Sequence, residues 1–169
     1  KKNGRTGVPS IRKIKGKDSL CFEGMTDSTD FEYSVSGMGV KENIVVKERC
    51  GIYRYQFILE CCNLTPEYVE SEKMVRFTSE DTGDIIFKIP APFMVDAEGS
   101  VSNDVIYELK PISEGRFAFT VTADAEWINA DERVFPVVID PQVDVVGTTG
   151  ISTYSCKDGR ISTATEHTV

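Results

Sequence analysis

The stretch Asp96-Ala-Glu98-Gly-Ser-Val-Ser-Asn103-Asp104 gathers hard oxygen donors of the kind calcium accepts, with Asp96, Glu98 and Asp104 as candidate ligands. It departs from an EF-hand loop, because its glycine stands fourth rather than sixth and the distal glutamate is absent. Loops of this composition also form Asx turns without metal, so the metal reading competes with a plain turn. Calcium is the only cofactor these residues suggest. Paired carboxylates would support glycosidase-type acid and base work. Asp81, Asp84, Asp124, Glu126 and Asp131 join the loop acids as candidates, yet with 27 acidic residues nothing singles out a pair. Nucleophilic catalysis needs a base beside a serine or cysteine, and the one histidine, His167, stands near the C-terminal end. No catalytic residue is assigned, and no enzymatic activity is expected.

Two further constellations concern binding and crosslinking. Sugar recognition on β-domains uses exposed aromatic rings. Most aromatics of this chain fall in alternating sets that mark them as core, whereas Tyr68, Tyr107 and Tyr154 do not. Tyr68, Tyr107 and the lone Trp127 are therefore the candidate ligand-binding rings, although a single tryptophan more often plugs a core than serves as a platform. Lys41-Glu42-Asn43 supplies a lysine, an acid and an asparagine. Those residue types can condense into an internal amide with loss of ammonia, but neighbours in sequence are not neighbours across a sheet.

The elements that must position these residues read as strands. Phe31, Tyr33 and Val35 alternate with polar residues; Tyr53, Tyr55, Phe57 and Leu59 alternate against Arg54, Gln56, Ile58 and Glu60, and Phe117, Phe119, Val121 and Ala123 alternate once more. A period of two puts each set on one face of a strand. Together with Ser19 to Glu23, Glu42 to Lys47, Met74 to Thr78, Asp84 to Ile89 and Val105 to Lys110, this gives about nine short strands with Phe135 to Asp140 as the last. Their spacing predicts an all-β fold, an antiparallel β-sandwich with little helix. The one helical piece expected is a single turn at Ala123 to Asn129. Trp127 and the strand Phe135, Val137, Ile139 close the domain, and Asp140-Pro141 is expected to end it, since proline offers no amide hydrogen to a ladder.

Residues 1–18 are basic and glycine-interspersed, and read as a flexible lead-in; 19–141 is the sandwich domain. Residues 142–169 read as a linker with the start of a following β module, or as a strand returned to the sandwich. Lys1 and Val169 both fall mid-pattern, so the expectation is a segment of a longer chain. At 169 residues, an apolar core suffices without staples. The net charge of −8 argues against a binder of phosphate backbones, and no apolar run suits membrane insertion. Cys21, Cys50, Cys61, Cys62 and Cys156 lack metal-binding spacing and read mostly as free, buried thiols, with one bridge from Cys21 to Cys50 or Cys61 as the alternative.

Three segments taken together carry a resemblance. Asp30-Phe-Glu-Tyr33 with Gly39-Val-Lys-Glu-Asn-Ile44 comes first, then Ile89-Pro-Ala-Pro-Phe-Met-Val-Asp-Ala97, then Ala125-Glu-Trp-Ile-Asn129 through Arg133-Val-Phe-Pro-Val-Val-Ile-Asp-Pro141. In order and spacing this resembles a β-rich module of bacterial wall-associated RHS/YD-repeat proteins and of surface proteins carrying DNRLRE domains. Phe135 stands where the family often has tyrosine, and Ile128 where it has leucine. The resemblance implies a secreted or cell-surface bacterial protein and a non-enzymatic structural or adhesion module that positions neighbouring domains of the same chain. Cell-wall or host glycans would be the outside partners, with no nucleic acid; the alternative is a carbohydrate-binding module of a secreted hydrolase.

Overall fold

The computed structural model describes residues 8–14, 17–36, 39–140 and 142–145. The fold is all-β, with antiparallel pairing throughout, and among the described residues it has one short α-helix and a single 3-10 turn at Glu70–Glu72. A first meander runs through β1 (Val8–Ile14), β2 (Lys17–Thr26), β3 (Thr29–Ser36) and β4 (Gly39–Val46). After β5 (Arg54–Glu60), a second meander comprises β6 (Leu64–Val69), β7 (Met74–Ser79) and β8 (Ile85–Ile89). The short strands β9 (Phe93–Val95) and β10 (Val101–Ser102) precede the hairpin of β11 (Val105–Ser113) and β12 (Arg116–Ala123). Helix α1 (Ala125–Asn129), β13 (Val137–Asp140) and β14 (Gln142–Val145) complete the order.

Strand β4 is where the larger sheet divides. Ile44 faces Ile139 and Val46 faces Val137 along β13, while Lys41 faces Gln142 along β14, all in one continuous register. On its other side β13 pairs with β9, and β14 pairs with β8, so two arms of the sheet leave the same strand. The smaller sheet has the order β11-β12-β5.

The core lies between the sheets, where the alternating sets meet. Phe31, Ile44, Val46, Val137 and Ile139 from the larger sheet are buried with Tyr55, Phe57, Tyr107, Phe119 and Val121 from the smaller one. The rings interlock, with Phe31 and Phe57 centroids 5.6 Å apart and Tyr107 and Phe119 4.8 Å apart. Burial of each such ring stabilises the fold by roughly 1.5 to 3 kcal/mol. The hairpin from β11 to β12 closes tightly on the end of β5. Gly115 there has φ +65°, and a Cβ on it would sit 2.8 Å from the Cys61 carbonyl oxygen, so only glycine fits without a shift.

Several expectations about boundaries are corrected. Residues 8–14 form β1 in register with β2 rather than a flexible lead-in. The basic composition reads as solvated because the partner strand, and the pairing of Arg12 with Glu23, lie further along the chain. The stretch 61–71, outside the strands read from the sequence, contains β6 with Pro66 in it. As the last strand on the path of the larger sheet, β6 tolerates the missing amide. The stretch 93–102, likewise outside those strands, holds β9 and β10. The closing strand begins at Val137 rather than Phe135, after a cis Phe135-Pro136 bond, and pairing with β4 resumes at Gln142 instead of ending at Asp140. The single-turn helix falls where it is expected, as α1. Cys21, Cys50, Cys61 and Cys62 are all free, so the alternative bridge from Cys21 is not formed. Tyr154, Cys156 and His167 lie outside the described residues.

Candidate functional site

Chemistry-bearing side chains collect where β4 leaves the core for the divided sheet. Glu42 is two residues before Ile44, so the strand period turns it toward the core face, and Tyr33 stands directly across from it on β3. The Tyr33 hydroxyl donates to Glu42 Oε1. Burial pushes the Glu42 carboxyl up to about 7, against the opposing pull of the Tyr33 hydrogen bond. An acid balanced near neutrality can release or take a proton at small cost, which is what general acid–base work demands.

Tyr107 reaches the same region from β11. Its hydroxyl is buried and has no hydrogen-bond partner among the described residues. Burial first, and then the charges of Asp140, Glu42 and Tyr68, drive that phenol far above its ordinary range. Across β4, Lys41 Nζ is paired with Asp140 Oδ2. Continuing the register of β13 sets Asp140 across from Asn43 and diagonal to Lys41, on one strip of the sheet. Asp140 Oδ1 and Asn43 Oδ1 are both buried without a partner among the described residues. The sequence groups Lys41, Glu42 and Asn43 as one constellation and Tyr107 as a candidate ring, but gives no signal that Asp140 joins them.

The proposed metal ligands are used otherwise. Asp96 Oδ1 accepts from the Glu98 amide at 3.1 Å and the Ser100 amide at 2.8 Å, which is an Asx turn, while Oδ2 accepts from Arg133 Nη1 at 3.0 Å. Burial acts to raise the Asp96 carboxyl, but the surrounding amides and the Arg133 guanidinium outweigh it and hold it below the usual range. Asp104 Oδ2 accepts from the Ser102 hydroxyl at 2.9 Å, and Glu98 is exposed. No group of three or more His, Cys, Asp or Glu side chains among the described residues is placed to hold a metal.

The candidate rings are likewise set in the fold. Tyr107 is core, Tyr68 packs on the core from β6, and Trp127 is half-buried beneath Arg133, whose guanidinium carbon lies 4.3 Å from the ring centroid. Trp127 is held by α1, whose start is capped by Asp124: its Oδ2 accepts from the Trp127 amide at 2.9 Å. Asp124→Ala is expected to cost about 1 kcal/mol of stability, read by urea denaturation. An unchanged midpoint would show that the cap contributes nothing.

With this geometry in place, comparison with known proteins finds relatives of one kind. The chain is 27% identical over 135 residues to the tRNA nuclease WapA of Bacillus subtilis. The same figures hold for the tRNA(Glu)-specific nuclease WapA of Bacillus subtilis subsp. natto and the tRNA3(Ser)-specific nuclease WapA of Bacillus spizizenii. The match takes in 76% of this chain but only 6% of each relative. No family model matches the chain, and no solved structure matches it.

These relatives correct the functional expectations. The resemblance to RHS/YD-repeat and DNRLRE surface proteins gives way to a distant relationship with proteins named as tRNA nucleases. The expected non-enzymatic structural or adhesion module, and the alternative carbohydrate-binding module with glycan partners, do not stand against names that specify an enzyme. The expected absence of a nucleic-acid partner falls too, because tRNA is the substrate those names print. The physical reason for the error is plain. A net charge of −8 describes this chain and does not bear on the substrate of relatives of which the match takes in only 6%.

Proposed function

We propose that this chain works as a β domain of a tRNA-cleaving nuclease. The observation that supports the reading is the match to three Bacillus tRNA nucleases over 135 residues, at 27% identity. The matched length is that of a whole domain rather than a motif, which suits a building block retained within such enzymes. Since the match takes in 6% of each relative, the groups that cut tRNA are not assigned to residues of this chain. The nucleic-acid partner is therefore proposed for the natural polypeptide as a whole.

The test is cleavage of a total tRNA pool by the natural polypeptide that contains this chain, resolved on a denaturing gel. Discrete tRNA fragments are expected, formed in preference to fragments of ribosomal RNA. An intact tRNA pool, under conditions where the polypeptide is folded and soluble, would refute the proposal.

A further inference from the structure

We propose that Lys41 and Asp140 condense into an internal amide that locks β4 to β13. The two side chains are 99 positions apart in sequence and in contact across the sheet. The Asp140 side chain is 6% exposed and that of Lys41 38%, so the carboxylate is nearly sealed while the amine enters from the rim. Holding a carboxylate there is costly, because one oxygen, Oδ1, has no partner among the described residues. Amide formation removes both charges at once and leaves a neutral carbonyl in their place. The sheet supplies the orientation: β4, β13 and β14 keep one register on either side of the pair, which holds amine and carboxyl together as a near-unimolecular reacting pair.

The step balances without any co-reactant. Proton transfer within the contact converts ammonium and carboxylate into amine and carboxylic acid. The Nζ lone pair then attacks Cγ, the Nζ–Cγ bond forms and the Cγ–Oδ2 bond breaks. Oδ2 leaves as water with two protons that began on the amine. The sequence alone suggests Asn43 as the acceptor of Lys41, with loss of ammonia. The structure places Asp140 on the lysine instead, so the molecule lost is water.

Intact mass of the purified 169-residue chain under denaturing conditions tests this directly. The expected mass is one water below the sequence value, and digestion should yield a branched peptide joining the segment of Lys41 to that of Asp140. Lys41→Arg, which keeps the ion pair but not the amine, should restore the full mass. Asp140→Asn should lose ammonia in place of water. An unmodified wild-type mass overturns the proposal, and so does a water loss that survives in Lys41→Arg, because it would come from cyclisation of an aspartate elsewhere.

Discussion

Replacing Arg133 with alanine is expected to lower the thermal midpoint by about 10 °C, one of the two largest effects foreseen for a single substitution in this domain. The Arg133 side chain is 9% exposed and the Asp96 side chain beneath it 1%, so the pair is shielded from the screening that makes surface ion pairs nearly worthless. Arg133 also covers the Trp127 ring, and its other terminal nitrogen reaches Glu132 at 3.1 Å. One side chain thus joins the Asp96 turn to α1. In the alanine variant the Asp96 carboxylate stays buried with only its backbone amides, and the tryptophan loses its cover. Arg133→Lys should fall between wild type and alanine, because an ammonium keeps charge but neither the planar stack nor the fork of donors. The pH dependence carries a second signature. The Asp96 carboxyl is depressed in the folded state, so its contribution is present above the unfolded pKa and is lost as pH falls through the folded value. Arg133→Ala should flatten that acid limb. Thermal melts followed by circular dichroism decide the matter, and a drop of less than about 2 °C would rule out a structural role for the pair.

Asp96 also shows how far the sequence could be read. Its composition marks the loop as rich in oxygen donors, and both an Asx turn and a cation site follow from that. The choice between them depends on Arg133, which lies 37 positions later, and nothing local announces that it folds back. The core was legible for the opposite reason. Tyr55, Phe57, Phe119 and Val121 declare their face by alternation alone and all four are buried, though Ile58, Ala118 and Thr120 on the other face are buried too. Alternation says which way a side chain points, not which strand lies beside it. Hence Lys41 and Glu42 could be placed on opposite faces of one strand, while Asp140 as the neighbour of Lys41 could not be foreseen. β1 and β6 were obscured by composition, the first by its lysines and arginines, the second by Pro66. Both lie at the two ends of the sheet path, where sequence is least constrained by burial on both sides.

Glu42→Gln is expected to stabilise the domain at and above neutral pH and to change little near pH 4. In the folded protein burial raises this carboxyl to about 7, from an ordinary value of 4.5. A raised carboxyl binds its proton more tightly folded than unfolded, so its contribution is fully present below the unfolded pKa. That contribution is lost as pH climbs through the window between 4.5 and about 7. A shift of this size corresponds to at most about 3 kcal/mol, and the residual exposure of Glu42 brings the expected effect to about 2 kcal/mol. Glutamine keeps an oxygen to accept from Tyr33 and has no charge to bury, so it escapes the penalty at every pH. Urea midpoints of the two proteins should therefore coincide near pH 4 and separate steadily up to neutrality, with the variant more stable, and then run parallel. A constant gap across that range would mean that Glu42 has the same pKa folded as unfolded and that Tyr33 and its surroundings solvate the charge. A gap of the opposite sign would mean that the carboxylate has a cationic partner in solution. Either result would remove Glu42 from the group of residues able to exchange a proton at neutral pH.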